Sequence, residues 1–75
     1  MTNEKVDAKG LTCPQALVAA QRKLRRMKIG DTVEVVGTHG PSKIEIPNTM
    51  RLQGQEVLGV TEEGGVWRIV IKKIK

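Results

Sequence analysis

Val66 to Lys73 is the clearest strand of the chain, and its side chains alternate. Trp67, Ile69 and Ile71 take one set of positions, and Arg68, Val70 and Lys72 take the other. That period is the signature of a strand with one buried and one mostly wet face. Glu63-Gly64-Gly65 precedes it as a hairpin turn, and Glu56–Thr61 supplies the partner strand. A hairpin with one apolar face is not stable alone. It needs a second layer, and this segment therefore sets the plan of the whole chain.

Helical patterns elsewhere supply that layer. From Pro14 onward, Leu17, Ala20, Leu24 and Met27 recur at steps of three and four, the spacing of one helix face. Arg22, Arg25 and Arg26 fall opposite. Gly30-Asp31 is expected to end this helix, with Gly30 suited to a left-handed C′ position. Thr32–Val36 is a strand by its β-branched content, and Gly37–Ser42 reads as a loop. Residues 43–53 read as one irregular helix that Pro47 should kink or break. Val6–Lys9 is a short strand ended by Gly10. The order is β-α-β-α-β-β. The expected fold class is an α/β (α+β) two-layer sandwich, a four-stranded mixed sheet with two helices on one face.

Seventy-five residues suit one domain, 1–75. A chain this short buries only about 60% of its unfolded surface, and small domains often add a disulfide or a metal. One cysteine closes no internal bridge, and Cys13 with His39 is too little for a structural zinc site. Packing must hold the fold. The first seven residues contain no apolar run, and no segment approaches the roughly 20 apolar residues of a membrane span. A soluble cytoplasmic monomer with a reduced thiol is the expectation. The net charge is +5. Arg22, Lys23, Arg25, Arg26 and Lys28 concentrate it, which points to an acidic partner.

The single cysteine stands in Leu11-Thr12-Cys13-Pro14-Gln15-Ala16-Leu17. Proline fits a first helical turn because its missing N–H has no partner there anyway. A helix opening at Pro14 puts Cys13 at the N-cap, where free N–H groups and the helix dipole stabilise a thiolate. The alternative is a small buried hydrophobe. No second cysteine is present to resolve a disulfide, so dithiol redox chemistry is excluded. A Cys-His hydrolase would have to use His39, a loop residue. What remains is a nucleophile suited to passing a group between proteins.

Val6-Asp7-Ala8-Lys9-Gly10-Leu11-Thr12-Cys13-Pro14 resembles the opening of the TusA/SirA-type sulfur carrier family, in which an aspartate and a glycine precede a Cys-Pro-x-Pro motif. The likeness continues through "KIGDTVEVV" (28–36), "IEIP" (44–47) and "GQEVLGVTEEGGVWRIVIKK" (54–73). It implies a two-layer sandwich similar to the C-terminal domain of bacterial translation initiation factor three. It implies a persulfide on Cys13, aimed by Pro14, with sulfur arriving from a cysteine desulfurase or another sulfurtransferase. The sulfur then passes to an acceptor protein in tRNA thiolation, molybdenum cofactor assembly or other sulfur metabolism. No metal or organic cofactor is implied. Two departures stand out. Ala16 replaces the second proline, and Thr38-His39-Gly40-Pro41 replaces the family's acidic residue and proline in the loop after the second strand.

Five further residues are candidates for partner docking. Asp7 matches the family's aspartate and is expected to shape the turn before Cys13. Gly10 is expected to permit a tight turn. Val18, Arg22 and Arg26 share one exposed side of the first helix. The rival reading is a small basic RNA-binding or regulatory module with an incidental cysteine. Gly37-Thr38-His39-Gly40 spells GxxG, the backbone-clamping loop of KH domains. That loop joins two helices in KH domains, whereas here it follows a strand. The shortage of aromatics also removes base stacking, so stable nucleic-acid binding is not expected.

Overall fold

The computed structural model describes residues 3–12 and 15–75. Four strands and two helices follow in the order β1 (Asn3–Ala8), α1 (Gln15–Arg26), β2 (Thr32–Gly37), α2 (Gly40–Leu52), β3 (Glu56–Glu63) and β4 (Val66–Lys72). The sheet order is β1-β2-β4-β3. β1 lies parallel to β2, and the β2–β4 and β3–β4 pairs are antiparallel, so the sheet is mixed. Gly64 and Gly65 both have positive φ, as a two-residue type I′ hairpin turn requires.

One face of the sheet carries the core. Val33 and Val35 of β2 pair with Ile71 and Ile69 of β4, and all four are fully buried with Ala8, Trp67, Ile46 and Met50. α1 covers β1 and β2, α2 covers β3 and β4, and the helices touch each other. Ala16, Ala20, Leu24 and Met27 close the core from the α1 side, and Leu17 packs at its margin. The alanines bring α1 close to the sheet. The opposite face presents Lys5 and Asp7, Glu34, and Arg68 from three adjacent strands. Arg68 and Glu34 there approach to 3.6 Å, an exposed contact worth little.

Several boundaries differ from expectation. β1 begins at Asn3, because Asn3, Glu4 and Lys5 continue the parallel ladder to Thr32, Val33 and Glu34 of β2; Glu4, on the helix-facing side, also binds Lys23 of α1 at 2.7 Å. α1 stops at Arg26 rather than running to Gly30. Gly30 takes φ +96 in the following turn, where its N–H donates to the Lys73 carbonyl at 2.7 Å and the Asp31 N–H donates to the Lys28 carbonyl. The Lys73 ammonium takes over at the helix end, donating to the carbonyls of Leu24 and Met27 at 2.6 and 2.8 Å. α2 begins at Gly40, three residues before the expected start, with proline in its first turn. It then runs through Pro47 to Leu52. Burial of Ile46, Pro47 and Met50 offsets the backbone bond that Pro47 cannot make. α2 ends in a Schellman motif: Gly54, at φ +87, donates to the Arg51 carbonyl, and Gln55 donates to that of Met50. Among the described residues no helix is long and apolar enough to cross a membrane.

Candidate functional site

The candidate site lies where two connections meet at one end of the sheet. β1 leads into a turn at Lys9-Gly10, and the chain then runs through Leu11 and Thr12 toward α1. Asp7 takes part in this turn. Its Oδ1 accepts the Lys9 N–H at 3.0 Å, an Asx-type arrangement. Gly10 takes φ +81, a conformation that any other residue would hold under strain. The Leu11 N–H closes the turn on the Ala8 carbonyl at 3.1 Å.

The second connection is Thr38-His39, between β2 and α2. Thr38 Oγ1 accepts the Gly10 N–H at 3.2 Å, so this loop is tied directly to the turn after β1. The loop is anchored from below as well. The Trp67 indole N–H donates to the His39 carbonyl at 2.8 Å. Gly37 lies against that ring so closely that a Cβ there would fall inside the indole. The requirement for glycine at 37 is therefore packing. His39 itself sits at the N-cap of α2 without a side-chain capping bond. Gly37–Gly40 thus joins a strand to a helix, and Trp67, the chain's only aromatic residue, is fully buried.

Cys13 and Pro14, the candidate nucleophile and its neighbour, lie outside the described residues. What flanks them is defined. The Ala16 N–H donates to the Thr12 carbonyl at 3.1 Å, a bond that a proline at position 16 could not form. The first turn of α1 contains no acidic residue, and its last turn holds Lys23, Arg25 and Arg26. The positive end of the helix dipole therefore has no carboxylate of that turn to neutralise it.

The docking candidates divide into two groups. Asp7 and Gly10 build the turn. Val18, Arg22 and Arg26 are exposed on α1, Val18 at 39%. Arg22 and Arg26 line a shallow groove of about 400 Å³ with Lys5, Val6, Ala19 and Lys23; Val18 is not one of its walls. The turn contact made by Thr38 and the lysine that closes α1 have no local sequence signal, because both link residues far apart in sequence. The buried hydroxyl of Ser42 has no hydrogen-bond partner among the described residues.

The chain resembles proteins of known family throughout its length. A protein of Archaeoglobus fulgidus is 37% identical over 70 residues, covering 93% of this chain and 96% of its own. Sulfur carrier protein TusA of Allochromatium vinosum is 31% identical over 71 residues, covering 95% of this chain and 93% of its own. The crystal structure of the SirA-like protein of Desulfitobacterium hafniense superposes with a TM-score of 0.82 at 20% identity, over 99% of this chain and all of the other, and shares its fold. The model of the sulfurtransferase TusA family matches residues 4–73, and the chain belongs to that family.

Proposed function

We propose that this protein is a sulfur carrier, with Cys13 as the atom that holds the cargo. The observation that supports this reading is the place of the chain's only thiol in the sequence of a TusA family member. It follows the turn built by Asp7 and Gly10 and precedes α1. A thiol near the start of a helix with no carboxylate in its first turn is favoured as thiolate, and Pro14 limits the backbone freedom of the segment.

The transfer step needs no oxidant. The Cys13 thiolate attacks the terminal sulfane sulfur of a persulfide on a donor protein. The donor's S–S bond breaks, its cysteine leaves as thiolate, and a new S–S bond forms on Cys13. One thiolate and one persulfide stand on each side. A second exchange of the same kind passes the sulfur to an acceptor protein. A cysteine desulfurase or another sulfurtransferase is the donor class, and tRNA thiolation, molybdenum cofactor assembly and other sulfur metabolism are the candidate destinations. The face of α1 bearing Val18, Arg22 and Arg26, with the Asp7-Gly10 turn, is the docking surface in this reading. The carrier works as a single domain.

Intact-mass spectrometry tests the proposal. Freshly reduced protein is incubated with a cysteine desulfurase and cysteine, and separately with thiosulfate and a rhodanese. One added sulfur that reductant removes and Cys13→Ser abolishes is the expected result. No added sulfur from either donor would reject the carrier role.

A further inference from the structure

β1 forms one border of the sheet and, among the described residues, pairs only with β2. Alternate N–H and C=O groups along this strand therefore point away from the sheet without a ladder partner. The two borders differ. β3, at the other side, carries a register shift between Val57 and Gly59, and Glu62 near its end is ion-paired to Lys43 at 2.6 Å. A bulge blunts an edge against further pairing. β1 runs in unbroken register from the Asn3–Thr32 pair to the Ala8–Gly37 pair.

The surface beside β1 is built differently too. The floor of the 400 Å³ groove is apolar, formed by half-buried Val6 and Ala19, and its rim is cationic, formed by Lys5, Arg22, Lys23 and Arg26. A second shallow groove continues along it, sharing Lys23 and Arg26 and adding Glu4, Met27, Lys28 and Asp31. Lys23 is engaged by Glu4. Lys5, Arg22 and Arg26 have no carboxylate within ion-pairing distance among the described residues. An open backbone edge thus runs beside a row of uncompensated cations.

We propose that the β1 edge receives an extended acidic peptide segment of a partner protein, which adds as a fifth strand and sets its carboxylates against Arg22 and Arg26. The spacings agree. Residues four apart on a helix are separated by about 6 Å along its axis, and residues two apart on a strand by about 6.7 Å. Carboxylates at alternate positions of the added strand therefore match cations one turn apart on α1. Strand addition takes affinity from main-chain hydrogen bonds and selectivity from the alternate side chains. A nucleic-acid strand would satisfy the cations but not the backbone edge, and Trp67 is buried away from any stacking role. This inference does not depend on sulfur transfer or on Cys13.

The test is a titration of the ¹⁵N-labelled protein with an end-capped nine-residue peptide alternating glutamate with valine. Expected are chemical-shift changes at residues 4–8 and 19–26, with slowed exchange of alternate β1 amides. Arg22→Glu with Arg26→Glu, both on the exposed side of α1, should weaken binding about tenfold or more. N-methylation of one alternate set of peptide amides should abolish binding, and methylation of the other set should leave it. A lysine-for-glutamate peptide should not bind. Equal binding by both methylated peptides would overturn strand addition in favour of charge alone. A nine-residue oligothymidylate binding the same residues as tightly would overturn the peptide in favour of nucleic acid. No shift at millimolar peptide would reject the site.

Discussion

Replacing Lys73 by methionine removes one ammonium and keeps most of the apolar stem. The ammonium donates to two main-chain carbonyls, those of Leu24 at 2.6 Å and Met27 at 2.8 Å. Leu24 lies in the last turn of α1 and Met27 just beyond its end; carbonyls there lack i+4 helical partners, although that of Leu24 also accepts the Met27 N–H at 3.1 Å. A hydrogen bond from a charged donor contributes about 1.5–3 kcal/mol, and a cation at a helix C-terminus adds about 0.3–1 kcal/mol. Lys73 is only half-buried, so water recovers part of both terms once the ammonium is gone. A net loss of about 2 kcal/mol is expected. For a domain of this size that corresponds to a fall in Tm of about 8–16 °C. The backbone around Lys73 fixes its aim, since its N–H donates to the Asp31 carbonyl and its carbonyl accepts from Gly30. Urea unfolding at matched m-value, with calorimetry, measures the change. Lys72→Met is the control: its side chain lies on the face without helices, and a change within about 0.5 kcal/mol is expected. Equal losses in the two variants would refute the capping role and leave general charge as the cause.

Gly37→Ala places a methyl group inside the Trp67 indole, so denaturant unfolding should show a loss of about 1–3 kcal/mol, as overpacking gives; an unchanged midpoint would mean the ring moves freely. Thr38→Val removes the acceptor of the Gly10 N–H and should speed hydrogen exchange at the Gly10 amide, while Thr38→Ser should preserve its protection. The rate of Cys13 alkylation against pH should give a pKa below the free value of about 8.5. In the carrier reading the thiolate is the favoured form, so reactivity should persist to lower pH than in a free thiol, and an inflection above about 8.5 would count against that reading.

The fold was legible where burial follows period. The alternation at Trp67, Ile69 and Ile71 marks the inner face of β4; of Leu17, Ala20, Leu24 and Met27, read as one helix face, Ala20 and Leu24 are buried on α1, Met27 is buried just past its end, and Leu17 lies at the margin of the core. The order β-α-β-α-β-β and the mixed sheet followed from those elements. Ends were less legible, because distant groups set them. A helix stop at Gly30 is a reasonable local inference, yet α1 ends at Arg26, with Lys73 closing it from the last strand. Pro47 argues locally against a continuous helix, and packing of its neighbours against the sheet overrides that preference. β1 looked short because Asn3, Glu4 and Lys5 are polar, and the Glu4–Lys23 pair has no local trace. At the site, Asp7 and Gly10 were readable because a short carboxylate and a glycine have recognisable turn chemistry. The tie from Thr38 to Gly10 spans 28 positions and became visible only once the two loops were seen together. Alanine is accommodated at position 16, where its N–H donates to the Thr12 carbonyl and its side chain is buried in the core.

Trp67 is the one ultraviolet fluorophore of consequence in a chain without tyrosine or phenylalanine. Its indole N–H is held by the His39 carbonyl, and its ring is covered by Gly37. Emission from this protein therefore comes from a single place, the root of the loop that ties to the turn before Cys13. A partner that lifts this loop breaks the indole bond and admits water, moving emission to longer wavelength. A partner that docks elsewhere leaves the spectrum alone. The protein thus carries an intrinsic optical probe at the junction of its two site-forming loops, and complex formation there can be followed without a label.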